Sequence, residues 1–73
     1  MTKLGEYLAS KSVNKSDVSR KTGISKARLS ELSIKPTARL RASELYMIAL
    51  SIGADPGVVL EYVCGDLKKK VKS

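Results

Sequence analysis

Residues 14–33, NKSDVSRKTGISKARLSELS, constrain the fold most, because they encode two short helices separated by one glycine. Asn14 can cap the first helix, since its side chain can accept from backbone N–H groups of the first turn. Gly23 supplies a left-handed residue that ends this helix, and Ser25 can cap the second. The inward apolar residues are Val18, Ile24, Leu29 and Leu32. We therefore expect two helices that meet at a tight turn and share one buried face.

The second helix of this pair, residues 25–33, presents a mixed polar surface. At about 100° per residue, Ala27 and Glu31 point almost directly away from the apolar face. The other outward residues are Lys26, Arg28 and Ser30. This surface combines cations, a methyl group and one carboxylate. Such a mixture can contact a partner as well as keep the protein in solution.

The rest of the chain reads as three further helices, over about residues 2–11, 42–52 and 56–64. Gly5 inside the first of them costs about 1 kcal/mol relative to alanine, and it allows a neighbouring element to approach closely. Gly65 is expected to end the last helix. No stretch alternates with period two, so we predict an all-α domain over residues 1–66. Residues 67–73 are expected to form a basic, mobile tail.

The charges of the chain are segregated along its length. Residues 11–41 carry nine lysines or arginines against two acidic residues, whereas residues 42–67 carry four acidic residues and no basic one. The tail adds four lysines, and the whole chain has a net charge of +7. A solvated surface kept soluble by charge is the simplest explanation of one basic run. Segregation over this distance instead favours a polyanionic partner at the basic portion.

Several classes of protein are disfavoured by what the sequence lacks. Cys64 is the sole cysteine and there is no histidine, so neither an intramolecular disulfide nor a Cys/His zinc site can form. Nothing assembles an acid–base pair or a nucleophile, and we predict no enzymatic activity, metal or cofactor. No apolar run suffices for a signal peptide or a membrane span. We expect a cytoplasmic protein without a membrane or small-molecule partner.

The helical pair and the segment after it resemble a known family. Ser19 holds a small-residue position four residues before Gly23, where the two helices cross closely. After the pair and a loop comes LYMIALSIGADPGVVLEYV, which is similar to the family's fourth and fifth helices. Over residues 4–63 the chain resembles the Cro and lambda-repressor family, also called the XRE family. The resemblance implies a compact five-helix lambda-repressor-like domain in which helices 2 and 3 form a helix-turn-helix that binds double-stranded DNA.

The same resemblance implies a role for individual residues, with helix 25–33 in the major groove. The residues at positions expected to read bases are Lys26, Ala27, Arg28 and Glu31, where Arg28 is at a flanking position that contacts adjacent bases or backbone. The residues at positions expected to contact phosphate are Lys15, Ser25, Ser30, Lys35, Arg39 and Arg41.

The sequence also departs from the family pattern. Many members pair an arginine in the first helix with a glutamate just after the recognition helix, and the matching residues here are Leu8 and Ser33. That ion pair is therefore absent. The loop after Ser33 is one residue longer than usual and holds Pro36 where a Gly-Lys pattern is common.

Among the outward residues, Glu31 gives the strongest indication that the protein recognises a specific DNA sequence. An acidic side chain in a basic surface costs affinity for phosphate, so it indicates either a cytosine reader or repulsion of wrong sequences. The alternative is that Glu31 is a helix-surface partner for Arg28, which stabilises a helix by only about 0.3 kcal/mol.

The fifth predicted helix is apolar around most of its circumference. We assign Val59, Leu60 and Val63 to the core, which leaves Val58 and Tyr62 as an exposed pair one turn apart. Such a pair predicts a homodimer that reads a palindromic site. The alternative is that a small core recruits both faces of the helix.

The favoured function is sequence-specific DNA binding by a small transcriptional regulator, with repression as the expected action. Two alternatives stay open. One is a non-specific nucleic-acid binder that uses charge alone, and the other is an antitoxin or protein-interaction module that retains the fold. Competition between a selected duplex and random DNA separates the first two.

Overall fold

The computed structural model describes residues 1–71, which form five α-helices followed by a 3₁₀ helix. The α-helices are α1 (Lys3–Ser10), α2 (Lys15–Thr22), α3 (Lys26–Ile34), α4 (Ala42–Ser51) and α5 (Pro56–Cys64). No strand occurs within these residues, and the predicted five-helix, all-α fold is confirmed. No helix in residues 1–71 is both long enough and apolar enough to cross a membrane.

The signals that begin α2 and α3, and the glycine that ends α2, act as predicted. The Asn14 side chain accepts from the backbone N–H of Ser16 at 2.8 Å. Gly23 ends α2 in the left-handed region at φ +79°. The Ser25 hydroxyl then accepts from the backbone N–H of Arg28 at 3.1 Å, which caps α3. Local chemistry therefore fixes both helix starts and the turn between them.

A single buried cluster draws on all five α-helices and the turn between α2 and α3. Its members are Leu4, Tyr7, Leu8, Val18, Ile24, Leu29, Leu32, Leu45, Ile48, Ala49 and Val59. The assignment of Leu60 to this core is wrong, because that side chain is 50% exposed. The inward stripe of α5 runs through Val59 and Val63, one turn apart, and the next residue after Val59 is rotated outward.

The positions of the absent ion pair hold Leu8 and Ser33, and both are buried. The Ser33 hydroxyl donates to the carbonyl of Leu29 in its own helix at 2.7 Å. Main-chain contacts join α1 to α3 instead. The backbone N–H of Thr2 donates to the Ser33 carbonyl at 2.9 Å, and the Thr2 hydroxyl donates to the Leu32 carbonyl at 2.7 Å. The start of α1 is thus bonded directly to the end of α3.

Gly5 is what permits this junction. A Cβ atom at Gly5 would overlap the carbonyl oxygen of Ser33 and would lie 3.0 Å from its carbonyl carbon. The close approach that Gly5 predicts is therefore confirmed, and the neighbour is the last turn of α3. The backbone of α3 cannot yield here without losing its bond to Thr2.

The prediction that Gly65 ends the fifth helix is confirmed, because α5 runs to Cys64 and Gly65 is its C-cap. Gly65 has φ −60° and ψ −29°, which is right-handed helical backbone, and the chain continues as a 3₁₀ helix over Gly65–Lys70. Lys68 in this segment pairs with Glu61 of α5. The expected boundary between residues 66 and 67 falls inside the 3₁₀ helix. Lys72 and Ser73, which belong to the predicted tail, lie outside the described residues.

Candidate nucleic-acid interface

The outer face of α3 carries a shallow open groove, which is lined only by residues of this helix and by Lys35 directly after it. The residues that line the groove are Ala27, Ser30, Glu31, Ile34 and Lys35. Ala27 and Glu31 are predicted base readers and Ser30 and Lys35 are predicted phosphate contacts, so two members of each group share this surface. Lys26 is exposed in the first turn of the same helix.

Ile34 extends this surface, although the sequence predicts that it lies in the loop after the helix. The helix continues through Ile34, and its side chain is 57% exposed. Its spacing of seven residues from Ala27 and three from Glu31 puts it on their face of the helix. That spacing can be read from the sequence, but the predicted helix ends at Ser33, one residue too early.

Lys15 and Ser30 lie together where α2 meets α3. The Lys15 ammonium donates to the Ser30 hydroxyl at 3.4 Å, a long hydrogen bond between the two helices. Because both residues are only partly buried, their polar groups reach the surface beside the groove. A single phosphate approaching this junction could contact both side chains.

The loop between α3 and α4 carries three of the predicted phosphate contacts, Lys35, Arg39 and Arg41. All three are exposed, and none forms a salt bridge with a residue in the part of the chain that the structure describes. Arg20 of α2 differs, because it pairs with Asp17 at 3.2 Å. The loop therefore contributes three cations without a salt bridge among the described residues, and Lys15, Lys21 and Lys26 of α2 and α3 contribute three more.

Arg28 is turned away from the groove toward α4. Its guanidinium donates through Nε and Nη2 to the two carboxylate oxygens of Glu44, at 3.0 and 3.1 Å. Nη1 donates to Glu31 at 2.7 Å, and Nη2 also donates to the backbone carbonyl of Arg39 at 2.7 Å. The predicted alternative for Glu31, a pair with Arg28, is thus present. The hydrogen bonds to the two glutamates raise the pKa of Arg28 above its ordinary value. The bond to Glu44 has the larger effect and the bond to Glu31 the smaller.

Glu44 is the second residue that sequence reasoning missed as part of the site. Its carboxylate is buried, and besides Arg28 it accepts from the backbone N–H of Arg41 at 2.9 Å. The hydrogen bond from Arg28 is the main cause that lowers the pKa of Glu44, while burial acts in the opposite direction. Sixteen residues separate Glu44 from Arg28, so only the folded chain reveals the pair.

This lowered pKa predicts an acid-sensitive contribution to stability. A carboxylate whose pKa is lower in the folded state stabilises the fold fully above its ordinary pKa of 4.5, and the contribution fades as the pH falls further. Glu44→Gln should therefore weaken the dependence of the unfolding free energy on pH between about pH 6 and about pH 3. Urea unfolding at several pH values measures this. Glu61→Gln is the control, because Glu61 is exposed, and an equal loss of pH dependence there would contradict the assignment.

The predicted dimer residues are both exposed, at 57% for Val58 and 45% for Tyr62. Tyr62 nevertheless packs edge-on against Tyr7 of α1, with ring centroids 5.2 Å apart. The outer side of α5 is thus partly used by the fold, as the alternative for this helix expects. Association of two copies stays a prediction.

Comparison with known proteins agrees with this architecture. The protein-family model for the Cro/C1-type HTH DNA-binding domain matches residues 3–65, which is most of the chain. No curated protein and no solved structure gives a significant match. The matched segment contains α1 to α5, including the helix pair and the loop that carry the interface. With its five helices, its capped α2–α3 turn and this match, the chain belongs to the Cro/C1-type HTH family of DNA-binding domains.

Proposed function

We propose that the protein is a small transcriptional regulator that binds a specific double-stranded DNA sequence, with α3 in the major groove. The observation that carries this proposal is the mixed chemistry of the groove on α3. Attraction to phosphate alone would favour a uniformly basic surface. Ala27 and Glu31 instead offer a methyl group and a carboxylate, which complement the groups that distinguish base pairs in the major groove.

Each proposed reader has a chemical match on a base edge. Lys26 would donate to O6 and N7 of guanine, Ala27 would pack on the methyl group of thymine, and Glu31 would accept from N4 of cytosine. Phosphate contacts would set the register of α3 in the groove without reading sequence. The residues proposed for them are Lys15, Ser25, Ser30, Lys35, Arg39 and Arg41.

The proposal includes a homodimer on a palindromic site, with the two copies of α3 one turn of DNA apart. Exposed apolar side chains on a small domain favour association, and Val58 and Tyr62 supply them on α5. A dimer that covers its site blocks access by other proteins, so repression is the proposed action.

Selection of bound duplexes from a random pool tests this function. We expect an enriched palindrome that binds about a thousandfold more tightly than random DNA at the same salt concentration. Repeating the competition at two salt concentrations separates readout from charge, because phosphate contacts alone give strong salt dependence without preference. If no selected duplex outcompetes random DNA, the protein is a non-specific binder. If it binds no DNA at all, a protein-interaction module is favoured.

A further inference from the structure

Arg28 occupies a position expected to face DNA, yet its donors are largely used inside the protein. A guanidinium has five N–H groups, and four of them donate to Glu44, Glu31 and the Arg39 carbonyl. Bidentate recognition of guanine needs two adjacent N–H groups. The one that is left cannot form such a pair, so Arg28 could read guanine in this way only by breaking its present bonds.

Breaking those bonds would leave Glu44 without its main partner. The Glu44 side chain is 12% exposed, and both of its oxygens accept from Arg28. A buried carboxylate that loses its cation is strongly disfavoured. No basic residue occurs between positions 42 and 67 that could replace Arg28 from within α4 or α5. The guanidinium is therefore held to α4 more firmly than an exposed side chain would be.

The same guanidinium controls two parts of the proposed interface. It binds one carboxylate oxygen of Glu31, and the other oxygen receives no hydrogen bond from residues 1–71, so it is available to a base. It also binds the backbone carbonyl of Arg39, which fixes the middle of the loop between α3 and α4. A displacement of Arg28 would thus move a reader and a phosphate-contacting loop together.

We infer that Arg28 is a positioning residue, which ties Glu31 and the α3–α4 loop to buried Glu44 and thereby sets the DNA sequence preference without reading a base itself. This inference rests on the proposed function. Glu44 is largely buried and both of its carboxylate oxygens accept hydrogen bonds within the protein, yet on this basis it helps to determine which base pair Glu31 accepts.

The test measures the binding of the wild-type protein and its variants to the selected duplex and to duplexes with each base pair changed in turn. We expect Glu44→Gln and Arg28→Lys to relax the preference at the same base pair that Glu31→Gln relaxes, by about tenfold. Lysine keeps the positive charge at position 28 but cannot bridge Glu44 and Glu31 as a planar fork. Glu61→Gln changes the net charge as Glu44→Gln does and should leave the preference unchanged.

Two results would overturn the inference. In the first, Glu44→Gln folds, binds and keeps the wild-type preference at every base pair. In the second, Arg28→Lys relaxes the preference at a base pair where Glu31→Gln keeps it, which would make Arg28 a direct reader of that base pair. Circular dichroism checks that each variant folds. If Glu44→Gln does not fold, the base pair at which Arg28→Lys relaxes the sequence preference decides the question by itself. Failure of the proposed function is distinguishable, because the wild-type protein would then show no preference to relax.

Discussion

Replacing Gly5 with alanine is expected to destabilise the domain by about 3 kcal/mol. The new methyl group would overlap the Ser33 carbonyl, which belongs to the backbone of α3 and already accepts from the Thr2 N–H. Either α1 moves outward or α3 gives up its bond to Thr2. The higher helix propensity of alanine offsets only about 1 kcal/mol of this cost. Urea unfolding followed by circular dichroism measures the loss.

Gly65→Ala is the matched control for this substitution. Gly65 also has right-handed helical backbone, but a Cβ atom there would lie 3.5 Å from the nearest atom, the Glu61 carboxylate, which is ordinary contact. We expect its stability to equal or exceed that of the wild-type protein by up to about 1 kcal/mol. Since a domain of this size has a total stability of only about 3–5 kcal/mol, Gly5→Ala should also reduce DNA binding at 37 °C. Equal stabilities of the two variants would contradict the role given to Gly5.

The sequence predicts most of the fold because the decisive signals are local. Asn14, Gly23 and Ser25 act through neighbours within three or four residues, and periodic apolar residues identify the buried face of each helix. Gly65 shows the limit of such signals, because it ends α5 as predicted but the chain continues beyond it as a 3₁₀ helix. Glycine tolerates both left-handed and right-handed backbone, so a glycine that ends an α-helix does not by itself decide which structure follows it.

The site is only partly predictable for a different reason. Ala27, Glu31 and Lys35 reach one groove because helical spacing places them there, and that spacing is readable from sequence. The partners of Arg28 cannot be read in this way, because Glu44 is brought to it by the packing of α4 against α2 and α5. A cation on an outward face therefore looks free in the sequence even when a distant carboxylate holds it.

Whether an apolar side chain of α5 is buried or exposed also depends on contacts with distant parts of the chain. Val59 and Leu60 are adjacent apolar residues, and composition alone does not decide which one faces inward. The choice depends on how α5 is rotated as it packs against α1 and α4, because adjacent residues lie about 100° apart around a helix. Periodicity gives the width of an apolar face, and the fold decides its direction.

The second large effect is expected from the loop between α3 and α4. A triple variant in this loop combines Lys35→Gln, Arg39→Gln and Arg41→Gln. If each side chain contacts one phosphate, affinity for DNA should fall about 100-fold or more near 0.1 M salt, since each contact contributes a slope of about 0.9 to log K against log salt. Binding measured across several salt concentrations should give a slope reduced by about 3. Specific and random duplexes should be affected alike.

A triple variant of the C-terminal lysines is the matched control. It combines Lys68→Gln, Lys69→Gln and Lys70→Gln, and like the loop variant it removes three of the seven net positive charges. Lys68 already pairs with Glu61, and this segment follows α5 rather than the α2–α3 pair. We therefore expect the control to keep most of the affinity and to change the salt slope by less than about 1. Equal losses in the two variants would mean that net charge, not the placement of the loop, governs binding, and they would favour the non-specific binder.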